Sequence, residues 1–395
     1  MAELVFKGLS QLRGTALKLA QMLSLEFGVL PESLRTKLSQ AHYKAPPLNR
    51  ALVRNVFKTE FSKTPEELFA RFDPDAFAAA SLGQVHRAVG LDGRDFAVKI
   101  QYPGIAESID SDLQLLKGLL STFYKNDYLE RAVDEVHARL REEVDYRKEF
   151  ERTQWFYEHA QTDQVSTPQP IAETSSEKIL TLDLLEGEHL EEWLLGHPGQ
   201  EVRDRAAQNL FDWFMEHAFV RGVFHSDPNP GNILFQEQGN IAVIDFGCVK
   251  DVQPDILTAL KALMKAHVEG EEDRKPELYE RLGIQGVRSP EFAAFNRESL
   301  QPFTAWISRP FREQVFDFKK HPGYCDEASK LVRGIVDQAF MGGFTSETVF
   351  IDRNLYGLYR IFQRLGVTVR FETTYFESGI MEAREPGPTN ACEAG

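Results

Sequence analysis

The chain has 395 residues, 42% of them apolar and 27% charged, which is enough for two or three packed units with a sizeable core. Its 60 acidic residues outnumber 45 basic ones, for a formal charge of -15, and this excludes a nonspecific nucleic-acid binder, which needs a basic surface. Cys248, Cys325 and Cys392 make neither a metal-spacing pattern nor a disulfide framework, and no apolar run of about 18 residues suggests a membrane-spanning helix.

A reducing, cytoplasmic setting is therefore expected, and the N-terminus shows no signal-peptide pattern. Residues 3–42 read as two helices separated near Pro31, with Val5, Leu9, Leu12, Leu19 and Leu23 in one apolar stripe. This start is also basic, carrying Lys7, Arg13, Lys18, Arg35, Lys37, Lys44 and Arg50 against Glu3, Glu26 and Glu32. Such a face can rest on anionic lipid, so peripheral contact with an inner membrane is compatible with it. After the break at Ala45-Pro46-Pro47, a short helix is predicted to begin after Thr64, with Pro65 first and Glu66 and Glu67 in its first turn.

From about Phe72 the period shortens. Segments 84–89 and 96–101, joined through Asp92-Gly93, predict a β-hairpin. Helical stretches follow over about 105–124 and 129–160, then an apolar strand over 179–185 and helical segments over 189–221. A second hairpin joins 233–235 to 241–244 through Gly239-Asn240. From Pro254 to about Leu365 the pattern is almost wholly helical, and the Pro-, Gly- and Glu-rich end reads as disordered. The expected organisation is a helical extension (1–71), a small-sheet unit with inserted helices (72–187), a helical unit (188–382) and a tail (383–395). That is an α+β plan with two lobes.

The strongest chemical signal is His225-Ser226-Asp227-Pro228-Asn229-Pro230-Gly231-Asn232, followed at a strand end by Asp245-Phe246-Gly247. Phosphoryl transfer asks little covalent work of a protein; it needs magnesium to neutralise phosphate charge and a carboxylate to orient the acceptor. Asn232 and Asp245 supply hard oxygen donors suited to Mg²⁺, and Asp227 sits where the orienting base belongs. The hairpin between Asn232 and Asp245 would hold both ligands at one edge.

Upstream, Phe96-Ala97-Val98-Lys99-Ile100 places a lysine inside an apolar strand. Its desolvation cost calls for a phosphate and a carboxylate partner, with Glu149, Glu143 and Asp145 as candidates. Before it, at the place of a Gly-rich phosphate loop, stands Ala78-Ala79-Ala80-Ser81-Leu82-Gly83-Gln84, where only Gly83 is free to take positive φ. Three alanines limit close backbone approach to phosphates. By itself the segment also fits a plain turn or a helix start.

Four elements in order resemble the UbiB-like (AarF-domain) atypical kinases of coenzyme Q biology. They are Lys18-Leu19-Ala20-Gln21, the Ala78 to Gln84 loop with Val85-His86, Glu143-Val144-Asp145, and the segments around Asp227, Asn232 and Asp245. The resemblance covers about residues 9–249. It implies a protein-kinase-like two-lobe fold with an N-terminal helical extension over the active site, using ATP and Mg²⁺. It implies that Lys18 and Gln21 fill the place of a protein substrate and are held by Glu143 and Asp145. It further implies that Lys99 pairs with Glu149, that Leu182, Asp183 and Leu184 form the adenine-contacting hinge, and that Ala78, Ala79, Ala80, Ser81 and Val85 lie on the nucleotide. The activity implied is that of an ATPase or small-molecule kinase supporting quinone-lipid metabolism, with anionic lipid or a quinone precursor as partner.

The chain departs from the family at Ala20, where the motif has glycine. Alanine favours the helix by roughly 1 kcal/mol but adds a methyl group on the nucleotide side. No Ala-Pro-Glu element follows Asp245 at a normal distance, and Ser289-Pro290-Glu291 reads instead as a helix N-cap. A serine/threonine protein kinase and a nucleotide-switched scaffold are the competing readings. Oligomeric state is not legible in the sequence.

Overall fold

The computed structural model describes residues 48–80, 82–121, 137, 140–141, 143–328, 330–331 and 346–377. The helices expected over 3–42, Lys18, Gln21, Ser81 and the tail after residue 383 lie outside that set. Two compact units divide the chain: Met1–Gln154 with Pro168–Leu184, and Trp155–Thr167 with Leu185–Gly395.

In the first unit, helix α1 (Arg50–Phe61) starts where the Asn49 side chain accepts the Leu52 N–H at 3.0 Å, a cap not anticipated from the sequence. Helix α2 (Pro65–Leu68) begins as expected, with Thr64 and Glu67 in a reciprocal capping box. Strands β1 (Arg71–Phe72), β2 (Ala78–Ala80), β3 (Gly83–Val89) and β4 (Asp95–Gln101) precede helices α3 (Ile105–Ser121) and α4 (Tyr146–His159). Strand β5 (Val165–Ser166) belongs to the second unit, and β6 (Ile179–Asp183) returns to the first. The sheet is antiparallel: β3, β4 and β6 lie side by side, and β1 and β2 both pair with β3.

The two-residue period of β4 sorts its side chains. Phe96, Val98 and Ile100 pack with Val53, Val56 and Phe57 of α1. Lys99 and Gln101 point to the other face, where the Gln101 side chain donates to the Val144 carbonyl at 2.6 Å. On that face Leu180 and Leu182 of β6 pack with Tyr146 and Phe150 of α4. One hairpin and one helix thus carry both the apolar layer and the polar site.

Two expectations change here. The predicted helix over 129–160 is interrupted at Val144 and Asp145, because the Tyr146 N–H is held by the Glu177 carbonyl at 3.0 Å. Asp145 Oδ1 accepts the Arg147 N–H at 3.1 Å, and α4 starts afresh. The alanine loop is likewise no open turn: Ala78, Ala79 and Ala80 form β2, in register with Val85, Gln84 and Gly83.

In the second unit, helices α5 (Leu190–Leu195) and α6 (Gln200–Met215) confirm helical sequence over most of 189–221. Strands β7 (Val223–His225), β8 (Ile233–Phe235), β9 (Ile241–Val243) and β10 (Val249–Asp251) form two small sheets, β7 with β10 and β5–β9–β8. The β8–β9 hairpin is as expected; the parallel pairing of β5 with β9 is a long-range addition. Helices α7 (Pro254–Glu269), α8 (Lys275–Arg281), α9 (Pro290–Phe295), α10 (Gln301–Ile307), α11 (Arg309–Glu313) and α12 (Ser346–Leu365) follow. Ser289 caps α9 as predicted, its hydroxyl accepting the Phe292 N–H at 3.1 Å. Strand β11 (Val315–Asp317) departs from the expected helical run, since Gln314 at φ 62° cannot continue α11, and it pairs with β12 (Thr368–Arg370), just beyond that run. A core rich in rings, among them Phe211, Phe311, Phe362 and Phe371, holds the unit together. No described helix is long and apolar enough to cross a membrane.

Candidate active site

Within the first unit, Lys99 Nζ lies 2.5 Å from Glu149 Oε1, and both residues are buried. The outward alternation of β4 supplies the lysine. The packing of Tyr146 and Phe150 on Leu180 and Leu182 turns the first helical turn of α4, with Glu149 in it, toward that strand. A buried charge needs its counterion close, and this pair meets that need. Of the three candidate carboxylates, the geometry selects Glu149. Asp145 is instead bound by the Arg147 guanidinium at 3.2 Å, and Glu143 is half-buried one residue before the break.

The β2–β3 hairpin above Lys99 is braced from inside. Gln84 Oε1 accepts the Leu48 N–H at 2.8 Å, and its Nε2 donates to His86 Nε2 at 2.6 Å. His86 Nδ1 then donates to the Asp73 carbonyl at 2.9 Å. Burial holds the His86 imidazole below its usual pKa, consistent with the neutral tautomer this network assigns. Gly83 is required for space rather than for positive φ: a Cβ there would stand 2.4 Å from the Ile100 carbonyl oxygen and 2.8 Å from Tyr146 Oη. Val85 pairs with both Ala78 and Lys99 across the sheet.

At the end of β6, the side chain of Leu182 is buried in the apolar layer under α4. The N–H groups of Asp183 and Leu184 are committed to the carbonyls of Gln169 and Asp95, both at 2.9 Å. Burial raises the Asp183 carboxyl, and Arg94, at 3.4 Å, opposes the rise.

Within the second unit, the residues around Asp227 and Asp245 are drawn together by short bonds. Pairing of β7 with β10 sets His225 against Val249, and the Ser226 N–H donates to the Cys248 carbonyl at 2.8 Å. His225 Nε2 reaches the Asp245 carbonyl at 2.7 Å. The Asn229 side chain accepts the Gly231 N–H at 2.9 Å and closes a single turn, Pro230–Asn232, that delivers Asn232 to the start of β8. Asn232 Nδ2 donates to Asp227 Oδ2 at 2.9 Å, and the Ile244 N–H donates to the Asn232 carbonyl at 3.0 Å. Asp245 Oδ1 accepts the Gly247 N–H at 3.0 Å. Phe246 is fully buried, stacked on Phe156 at 4.6 Å with the His225 ring edge-on at 5.6 Å.

This donor set fits a hard cation. The Asn232 amide spends its N–H on Asp227 and so has Oδ1 as its acceptor, and Asp245 adds a carboxylate two residues after β9. Two oxygen donors of this kind suit Mg²⁺, which retains several waters, whereas zinc favours nitrogen and sulfur ligands. Among the described residues no group of three or more His, Cys, Asp or Glu is arranged to hold a metal.

Residues 248–253 between Gly247 and α7 are largely taken up by β10, which leaves no room there for an activation segment. Two site residues escaped the sequence reading. The bracing role of His225 became visible only through its carbonyl partner. Gly357, in the interior of α12, packs on the loop that carries Asp227: a Cβ there would stand 2.3 Å from Pro228 Cγ. A glycine inside a strongly helical stretch was the available signal, since it forgoes roughly 1 kcal/mol of propensity.

Comparison with known proteins bears on the family and the fold. The ABC1 atypical kinase-like domain matches residues 40–278. The chain is 31% identical over 293 residues to "Atypical kinase coq-8, mitochondrial" of Caenorhabditis elegans, covering 72% of this chain and 38% of that protein. It is 28% identical over 373 residues to "Atypical kinase COQ8, mitochondrial" of Saccharomyces cerevisiae, covering 91% of this chain and 72% of that protein. Among solved structures, the complex of Rv3197 with erythromycin from Mycobacterium tuberculosis superposes with a TM-score of 0.66 at 26% identity, covering 98% of this chain and 97% of that one. With a mixed α+β, kinase-like fold and a family match over residues 40–278, the chain belongs to the ABC1 atypical kinase-like family.

Proposed function

We propose that this chain binds Mg-ATP and either hydrolyses it or transfers its terminal phosphoryl group to a small molecule, in support of isoprenoid quinone or membrane-lipid metabolism. The observation that carries the reading is the bonded cluster of Asp227, Asn232 and the Asp245 backbone, held by His225. Asn232 and Asp245 would hold the magnesium ion, whose charge, when bound, offsets that of the phosphates. Lys99, kept in place by Glu149, contributes positive charge to the phosphates. Asp227 orients the hydroxyl or water that attacks and accepts its proton. Val85 and the alanines of β2 cover the nucleotide, with Leu182, Asp183 and Leu184 at the base. Lys18 and Gln21, which the family resemblance assigns to the protein-substrate position, lie outside the described residues; that assignment favours a small acceptor.

The test is a magnesium-dependent thermal shift with ATP, followed by turnover in the presence of anionic lipids and phenolic quinone precursors. Wild-type protein should be stabilised by Mg-ATP, whereas Lys99→Ala and Asp245→Asn should lose both the shift and turnover. A wild-type protein that shows no nucleotide-dependent shift refutes the proposal.

A further inference from the structure

On the helical unit, an open pocket of about 590 Å³ lies between the second half of α12 and the segment from Phe318 to Asp326. Its volume is in the range of small-molecule sites, roughly 300–1,000 Å³. Lys319, Arg360 and Arg364 line it, with Asp326 as the acid among its walls. The cations differ in what they are committed to. Arg364 is held in a fork by Glu191, and Lys320 next door is neutralised by Asp317 at 3.1 Å. Lys319 and Arg360 have no carboxylate within ion-pair distance among the described residues.

The rest of the wall is firm and polar. Arg360 lies over the ring of Tyr356 at 6.0 Å. Gln363 Oε1 accepts the Cys325 N–H at 2.8 Å, tying α12 to the opposite wall and leaving the Gln363 NH₂ as a donor. Burial pushes the Cys325 thiol up to about 12, so it stays protonated and brings no anionic charge of its own. On a chain of net charge -15, two uncommitted cations in one pocket mark a local reversal of sign, which favours an anion over the cations the rest of the surface attracts.

We propose that this pocket binds a small phosphate-bearing anion, a free phosphate ester or a lipid headgroup, through Lys319 and Arg360, with Tyr356 against the ligand body. Guanidinium and ammonium groups supply the charge-assisted hydrogen bonds that a phosphate requires. The site also reaches the catalytic loop mechanically. Gly357, next to Tyr356 in α12, abuts Pro228, the residue after Asp227. A ligand on this face bears on the helix that braces the loop.

The binding claim is independent of the nucleotide reading and is tested separately. Calorimetric titration with sn-glycerol 1-phosphate is one arm, and co-sedimentation with phosphatidylcholine vesicles, with and without phosphatidylglycerol, is the other. The proteins are wild type, Lys319→Ala/Arg360→Ala and Arg360→Lys, each checked for an unchanged melting temperature, together with Lys99→Ala, which loses the buried pair with Glu149 and is assayed well below its own melting temperature. Removing the two exposed cations should weaken binding about tenfold or more in whichever arm shows it, while Arg360→Lys keeps part of it and Lys99→Ala all of it. Binding of the ester identifies a soluble ligand, and binding only to charged vesicles identifies a headgroup. Equal binding by wild type and the double variant overturns the proposal, as does loss of binding in Lys99→Ala or no binding by wild type in either arm.

Discussion

Breaking the Lys99–Glu149 pair should cost far more than the bond itself provides. The side chains are only 11% and 7% exposed, so neither charge can turn to water once its partner is gone. Removing one partner of a buried pair typically costs about 3–5 kcal/mol, most of it the penalty of the charge left behind. Lys99→Met takes from the buried Glu149 carboxylate its 2.5 Å counterion, beside the apolar layer of Leu180, Leu182 and Tyr146; Glu149→Gln takes the same counterion from the buried ammonium group. Either single change should therefore destabilise the first unit by about 3 kcal/mol. The double change removes both charges of the pair together and should cost well below the sum, giving a coupling energy of roughly 2–4 kcal/mol. Trp193, Trp213 and Trp306 belong to the second unit and Trp155 alone stands on α4, so total fluorescence would not isolate this loss. Amide exchange of β4 and α4 in the native protein is the appropriate assay. Additivity of the two single effects to within about 0.5 kcal/mol would show that the pair is not the coupled buried unit described.

Gly357→Ala should destabilise the second unit by about 1–3 kcal/mol despite the better helix propensity of alanine, because the new methyl must displace Pro228. Urea unfolding followed by tryptophan fluorescence measures it, and a stabilised variant would contradict the contact. Asp352 lines a small cavity with His267 and Tyr279, and burial pushes its carboxyl up to about 7. Because this folded value exceeds the unfolded one of about 3.9, the native state holds the proton more tightly, so the contribution is full below about pH 4 and is lost as pH rises toward 7. Relative to wild type, Asp352→Asn should gain stability across that window, by at most about 4 kcal/mol and less where water reaches the carboxyl. Burial holds His217 near 4 and His267 near 3, and these act in the opposite sense in both proteins, so they cancel in the difference. Parallel pH profiles from urea titrations between pH 4.5 and 8 would refute the assignment.

Within the described residues, much of the site could be read locally because its chemistry sits on contiguous segments. Asp227, Asn232 and Asp245 flank one hairpin whose apolar runs and turn residues are plain in the sequence, and Lys99 stands out as a charge in an apolar strand. The residues that remained ambiguous depend on partners distant in the chain. Nothing near Glu143, Asp145 or Glu149 says which faces Lys99; that follows from the Tyr146 N–H meeting the Glu177 carbonyl, 31 positions on, which sets where α4 begins. Ala78, Ala79 and Ala80 have low strand propensity and become β2 only because β3 offers them a ladder.

The sequence alone determined the α+β class, the two hairpins, the family's motifs and the residue types for phosphoryl transfer, because these depend on periodicity and short spacings. Tertiary structure alone decided the lysine's partner, the bracing of Asp245 by His225, and the close approaches that forbid a side chain at Gly83 and Gly357. Those outcomes depend on which surfaces are buried against one another, and burial is a property of the packed chain rather than of any segment.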